Sequence, residues 1–321
     1  MVAAVETMAY VKDRGVPWHG LGTPVEGIMT GAEALVAAGL DWKVGQEPLF
    51  ISPADGGLGA GQLVKRYVAN VRSTDHSVLG VVGTGYVPFQ NEDLAAFGDA
   101  LVDSGEAKYE TAGSLWDGRR VFLSMEVPKH IKVPGDSSDH QTYILLVNGH
   151  DGSKAVEVVT TIVRAVCHNT VSAALRGANS RFSTRHTLNV GDRVGEARRS
   201  LGVVFGYLDS FEKVATELVG IKVNEKAGRE VLAAMFPLTK EQRRSEDARA
   251  RSMLEQAILN WNGTETIDDS IRRTGWGLYN AVSEITEFGP GFRSEEGRFA
   301  TVIEGPAATA RKQTVALLLG K

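Results

Sequence analysis

Residues 143–175 constrain this chain more than any other stretch. Two strand-like apolar runs, 143–147 and 155–163, flank the polar segment Asn148-Gly149-His150-Asp151-Gly152-Ser153 and lead into a short helical pattern near 168–175. Just upstream, runs at 109–115 and 120–127 flank Trp116-Asp117-Gly118-Arg119, where Asp-Gly is the favoured tight turn because both residues tolerate positive φ. Two successive hairpins require an antiparallel sheet. Along the second run Val121, Leu123, Met125 and Val127 share one face and Phe122, Ser124 and Glu126 the other, the pattern of a sheet covered on one side and wetter on the other.

Upstream, Thr30-Gly31-Ala32-Glu33 has the capping-box spacing and predicts a short helix to Leu40. Residues 63–72 and 78–89 read as an antiparallel pair around the 73–77 turn, and Gln90-Asn91 opens a helix through Leu94, Phe97, Leu101 and Val102. The glycine-rich stretch 55–61 lacks the G-x-G-x-x-G spacing and reads as a surface loop. From Gly191 the period lengthens to about 3.6, with Val194, Ala197, Leu201, Val204, Leu208, Phe211, Ala215 and Leu218 in one apolar stripe of a long helix. Further helices are expected over 225–236, from Thr239 through Trp261, over 270–288, and after Gly305-Pro306 through Leu319. The expected fold is α+β: an antiparallel β-hairpin sheet with crossing helices, followed by an all-helical C-terminal part, with domains at 1–190 and 191–321.

The 321 residues are ordinary globular chemistry, 43% apolar and 23% charged. A lone cysteine, Cys167, excludes an intrachain disulfide and a cysteine-built zinc site. Residues 1–14 hold no apolar core of signal-peptide length, and no run of about 18 apolar residues occurs, so an unsecreted protein of the host-cell cytoplasm with no membrane partner is expected. The net charge of −4 argues against a globally basic coat, but charge is unevenly spread. Between 160 and 200 stand Arg164, Arg176, Arg181, Arg185, Arg193, Arg198 and Arg199 against only Asp192 and Glu196, a local charge of +5. Such a segment is either a solvated face balanced by distant acids or an anion-binding surface.

Catalytic signatures are absent: there is no H-E-x-x-H, C-x-x-C, Walker loop or G-x-S-x-G, and Ser210-Phe211-Glu212-Lys213 matches S-x-x-K without its companion motifs. Cys167 beside His168 reads as a small buried hydrophobe, since sequence neighbours point apart. Asp75-His76 and His150-Asp151 sit in two turns where convergence would make a zinc or manganese site, yet turn chemistry alone accounts for both. No catalytic residue, metal ligand or cofactor is assigned.

Trp18-His19-Gly20-Leu21-Gly22, Leu79-Gly80 with Tyr86-Val87-Pro88-Phe89-Gln90-Asn91, His150-Asp151-Gly152-Ser153, Arg164-Ala165-Val166-Cys167-His168-Asn169-Thr170 and Arg185-His186-Thr187, in this order, resemble the phage/plasmid-like family known as domain of unknown function 932. Trp276-Gly277-Leu278-Tyr279-Asn280-Ala281-Val282 resembles its C-terminal part, although the Tyr and Asp-His of the family pattern are replaced here by Ile285, Thr286 and Phe288. The resemblance implies carriage on phages, plasmids and transferred islands, and brings no agreed activity. A hairpin sheet crossed by a helix, with cations at the strand exits, is also similar in architecture to phage single-strand annealing recombinases. That similarity implies an oligomeric ring or filament binding the phosphate backbone of single-stranded DNA and promoting annealing without ATP. The candidate contacts are Arg119, Arg120, Lys154, Arg164, Arg176, Arg181, Phe182, Arg185 and His186, with Phe182 the obvious aromatic of the cationic segment. Two alternatives stand beside it: a protein-interaction or host-inhibiting role, and a metal-assisted enzyme using His76, His150, His168 or His186.

Overall fold

The computed structural model describes residues 5–12, 22–27, 30–52, 61–103, 105, 107–153, 156–164, 169–170, 181–184, 190–237, 248–289 and 306–320. In chain order the elements are β1 (Val5–Val11), β2 (Thr23–Val25), α1 (Gly31–Ala37), β3 (Val44–Ile51), β4 (Gln62–Arg72), β5 (Val78–Gly83), α2 (Asn91–Val102), β6 (Lys108–Leu115), β7 (Arg120–Ile131), β8 (His140–Gly149), β9 (Val156–Arg164), β10 (Asn169–Thr170), β11 (Arg181–Thr184), α3 (Val190–Gly220), α4 (Glu225–Met235), α5 (Ala248–Gly263), α6 (Asp269–Arg272), α7 (Gly275–Phe288) and α8 (Pro306–Leu318). The fold is α+β, with antiparallel sheets in the N-terminal half and helices in the C-terminal part.

An eight-stranded sheet runs β10-β9-β8-β7-β6-β1-β2, with β11 also pairing with β9, and a separate sheet runs β3-β4-β5. Both expected hairpins are present as β6–β7 and β8–β9. The β6–β7 turn is left-handed over three residues, Trp116 (φ 53°), Asp117 (φ 57°) and Gly118 (φ 79°), so the Asp-Gly signal extends back to a tryptophan. Val121, Leu123, Met125 and Val127 all lie in the main core. The opposite face is wetter at Ser124 and Glu126, but Phe122 there joins Met8, Leu115, Leu145, Val147 and Val159 in a second apolar cluster.

Capping chemistry sets the helix starts. Thr30 and Glu33 form the expected box on α1, where the Thr30 hydroxyl accepts from Glu33 N–H and the Glu33 carboxylate accepts from Thr30 N–H. At α2 the Asp93 carboxylate accepts from Gln90 N–H, while the Gln90 amide turns away to exchange two hydrogen bonds with the Val44 backbone. In α3 the described part of the stripe is buried throughout: Leu201, Val204, Leu208, Phe211, Ala215 and Leu218. These side chains join one continuous core with the inner face of the sheet, and α3 packs against β9 and β11.

Several expectations need correction, among them the helix expected to Leu40, which ends at Ala37 with Ala38 as its C-cap. Asn169–Thr170 does not start a helix but pairs antiparallel with Val163–Arg164, so edge hydrogen bonds on β9 override a helical pattern at this point. The strand expected over 78–89 ends at Gly83, after which the backbone turns at Thr84-Gly85. The helix expected to end at Phe236 ends at Met235, Phe236 being its C-cap. The helix expected over 270–288 is two, because the Thr274 hydroxyl accepts from Gly277 N–H and caps a new start. The glycine-rich loop 55–60, Trp18 to Leu21 of the Trp18 motif, residues 171–180 and the proposed start at Thr239 lie outside the described residues.

Leu208 is fully buried in the joint core. Leu208→Ala is expected to destabilise the protein by about 2–4 kcal/mol, seen as a lower urea midpoint with an unchanged denaturant slope.

Candidate functional site

Strand register gathers several chain segments at one end of the large sheet. Leu115 pairs with Arg120, Arg120 with Gly149, and Thr184 with Val156, so the 116–119 turn, the 150–153 turn and the end of β11 share that end. The two turns are tied to each other. His150 N–H donates to Arg119 C=O at 2.9 Å, and the Arg120 guanidinium reaches Asp151 at 3.2 Å and Ser153 Oγ at 2.9 Å while lying over the Trp116 ring. Burial pushes the Asp151 carboxyl up, but hydrogen bonds from Ser153 and the Arg120 charge outweigh it and hold the group below its ordinary 3.8. Arg120 is therefore turned inward, and its neighbour Arg119 is exposed.

The three-stranded sheet docks on these turns. Asn70 Nδ2 donates to His150 C=O at 2.6 Å, the Tyr86 hydroxyl to Gly149 C=O at 3.1 Å, and Asn148 Nδ2 to Phe89 C=O at 2.8 Å. His150 is fully buried, with Nε2 at 2.9 Å from Asn91 Oδ1 and its ring edge-on to Trp42. A Cβ on Gly80 would stand 2.5 Å from Asp151 Cα, so only glycine permits this contact. Burial beside Asp151 pushes the Tyr86 hydroxyl up to about 12, which keeps it protonated as a donor. Arg72 closes the back of the cluster through Glu6 at 2.6 Å and Asp75 at 3.0 Å, over Trp42. Three segments separated in sequence, Leu79-Gly80, Tyr86–Asn91 and His150–Ser153, thus meet in one interlocked cluster. His150 and His76 have different surroundings: His76 is 79% exposed at its side chain beside Glu47. Among the described residues no three His, Cys, Asp or Glu side chains are grouped to hold a metal.

A second polar centre is built on α7, which is buried along almost its whole length. Trp276 Nε1 donates to Asp136 at 2.8 Å, and the ring lies beside His140 and stacks on Tyr279. Asn280, Ser283, Glu284 and Glu287 follow on the same helix; Glu284 accepts from Asn260, and Glu287 pairs with the buried Arg311 of α8. Burial pushes the Tyr207 and Tyr279 hydroxyls up, and the nearby Arg311 charge opposes this at both. β10 runs alongside α7. Of this centre the sequence marked only Trp276–Val282, as a family resemblance, and gave no sign of Asp136, His140, Glu284, Glu287 or Arg311 as partners. Its available signal was the polar residues Asn280, Ser283, Glu284, Thr286 and Glu287 in a helix otherwise apolar.

The candidate DNA contacts divide by position. Arg164 is in register with His140, and Phe182 with Val158, which are core-face residues; Arg181 is in register with Val159 of the opposite face. Arg193, Arg198 and the exposed Arg199 lie on α3, against β9 and β11. Lys154, Arg176, Arg185 and His186 fall outside the described residues, as do Cys167 and His168.

A family model described as Domain of unknown function (DUF932) matches residues 78–303. The chain belongs to that family. No curated protein matches this DUF932 chain, and no solved structure does. Both polar centres draw most of their residues from the matched span, with Glu6, Trp42, Asn70, Arg72 and Asp75 added from before it and Arg311 from after it. Among the described residues no helix is long and apolar enough to cross a membrane.

Arg120→Gln is expected to lower stability at neutral pH by about 2–3 kcal/mol by leaving Asp151 without its cation. The folded Asp151 carboxyl titrates below 3.8, so its contribution is complete above that value and lost as the pH falls through the folded one. Urea midpoints of wild type and variant should therefore converge in acid, and a gap unchanged between pH 7 and pH 2 would rule out the pair as its source.

Proposed function

We propose that this DUF932 protein, carried on a phage or other mobile element, binds the phosphate backbone of single-stranded DNA and promotes annealing of complementary strands without ATP, as a homo-oligomer. One observation carries most of the weight. The segment 160–200, with its charge of +5, contributes β9, β11 and α3, which pack on one another at one side of the large sheet. Cations spread through a chain of net charge −4 would give no such focus. A phosphate backbone needs a row of cations and no base-specific donors, which suits an arginine-rich sheet edge. Arg119 adds an exposed cation on a turn held by the inward Arg120, so Arg119 is assigned to phosphate and Arg120 to positioning it.

Fluorescence anisotropy with a labelled single-stranded oligonucleotide across a salt series, run with a complementary-strand annealing assay, tests this. Salt-sensitive binding with faster annealing is expected, and no binding at low salt overturns it. Arg119→Ala should weaken binding evenly across sequences and reduce the log–log salt slope by roughly 0.7, the share of one phosphate contact to a single strand. Leu208→Ala should leave that slope unchanged.

A further inference from the structure

The small sheet carries an exposed surface that the docking cluster does not use. In β4 the half from Ala69 to Arg72 is buried, whereas the half from Gln62 to Tyr67 is mostly exposed. Phe50 is 60% exposed, Ile51 61%, Leu63 47% and Tyr67 52%. Phe50 is in register with Leu63, so the two share a face, and Tyr67 is in register with Gly83, which has no side chain to cover the phenol ring. The β3–β4 register shifts between the pairs Pro48–Val68 and Phe50–Leu63, a bulge that takes in residues 64–67 of β4 and increases local twist. Lys65 and Arg66, both exposed, stand between Leu63 and Tyr67, and neither has an acidic partner among the described residues.

Exposed aromatic and aliphatic side chains on a two-edged sheet are an aggregation hazard unless something covers them. The interleaved cations, which have no acidic partner among the described residues, specify what fits: a partner that is anionic along its length and presents flat apolar surfaces. Single-stranded nucleic acid has that chemistry, because phosphates alternate with bases whose faces stack on any aromatic ring. We infer that the exposed β3–β4 hairpin is a base-stacking element, with Phe50 and Tyr67 as platforms for bases and Lys65 and Arg66 holding the intervening phosphates. This rests on the single-strand reading above and extends it, since it supplies the aromatic contacts that the arginine-rich segment lacks apart from Phe182.

Two probes of equal length separate stacking from charge: a labelled oligothymidylate, and an abasic oligonucleotide with the same phosphates and no bases. With the full chain, Phe50→Ala and Tyr67→Ala should each weaken oligothymidylate binding about tenfold, leave abasic binding unchanged and keep the salt slope. Tyr67→Trp should restore affinity. Lys65→Ala with Arg66→Ala should weaken both probes and lower the slope by roughly 1.4. If the aromatic variants bind both probes like wild type, the hairpin inference fails while the arginine reading stands. If wild type binds neither probe, the arginine reading fails and takes the hairpin with it. A change of oligomeric state on size exclusion, with DNA affinity retained, would instead make the hairpin a contact between copies and overturn the inference.

Discussion

The joint between the two sheets rests on a single buried backbone segment, Gly149-His150, whose peptide groups must be satisfied away from water. Buried peptide groups without partners cost about as much as a lost hydrogen bond each, so the surroundings are determined by what this turn needs. Asn70 and Tyr86 take two of its carbonyls, Arg119 C=O takes the His150 N–H, and Asn91 takes the imidazole. These partners come from β4, from the segment after β5, from the β6–β7 turn and from the start of α2. Satisfying one turn thereby fixes how the small sheet, α2 and the hairpin ends sit relative to one another. Gly80 is the steric counterpart, since a side chain there would push the small sheet off the turn.

The α7 centre obeys the same constraint with charge added. Glu287 and Arg311 are both taken out of water, and such a pair persists only when each partner neutralises the other. Removing either would leave an uncompensated charge in the core. A hydrophobic pair of similar volume would hold α7 and α8 together as well, so the ion pair is better understood as selecting one alignment of the two helices than as a source of stability. Asp136 anchors the other end of α7 through the Trp276 indole, which ties the loop after β7 to the helical part.

Much of the fold was legible because its signals are local. The Asp117-Gly118 turn, the Thr30/Glu33 box and the 3.6-residue stripe of α3 each depend on residues a few positions apart, and each appears where expected. The failures have two different causes. Asn169–Thr170 becomes a strand because β9 offers an edge five to seven residues away, whereas the α6–α7 break is set by the Thr274 hydroxyl three residues from Gly277, a local cap that a continuous apolar pattern masks. At the candidate interface, sequence could mark where cations are dense but not which way they face. Arg119 and Arg120 are neighbours of identical chemistry, yet Asp151 and Ser153 bind one inward and leave the other in solvent. The pairing partner lies 31 residues away, and no local pattern records it.

Orientation of that kind decides how charge becomes function. A guanidinium already paired with a carboxylate offers little to a phosphate, so the useful count is of cations left facing solvent on a rigid support. Arg119 meets that condition on a turn held by two hydrogen bonds and an ion pair, and Lys65 and Arg66 meet it on the exposed hairpin. Both supports are fixed to the same 150–153 turn, the first directly and the second through Asn70 and Gly80. On the proposed reading, a strand engaging both would pay little to order the protein, because the joint between the sheets has already removed that freedom. The buried turn and the exposed cations then act as one device, the first setting the spacing that the second presents to the phosphate chain.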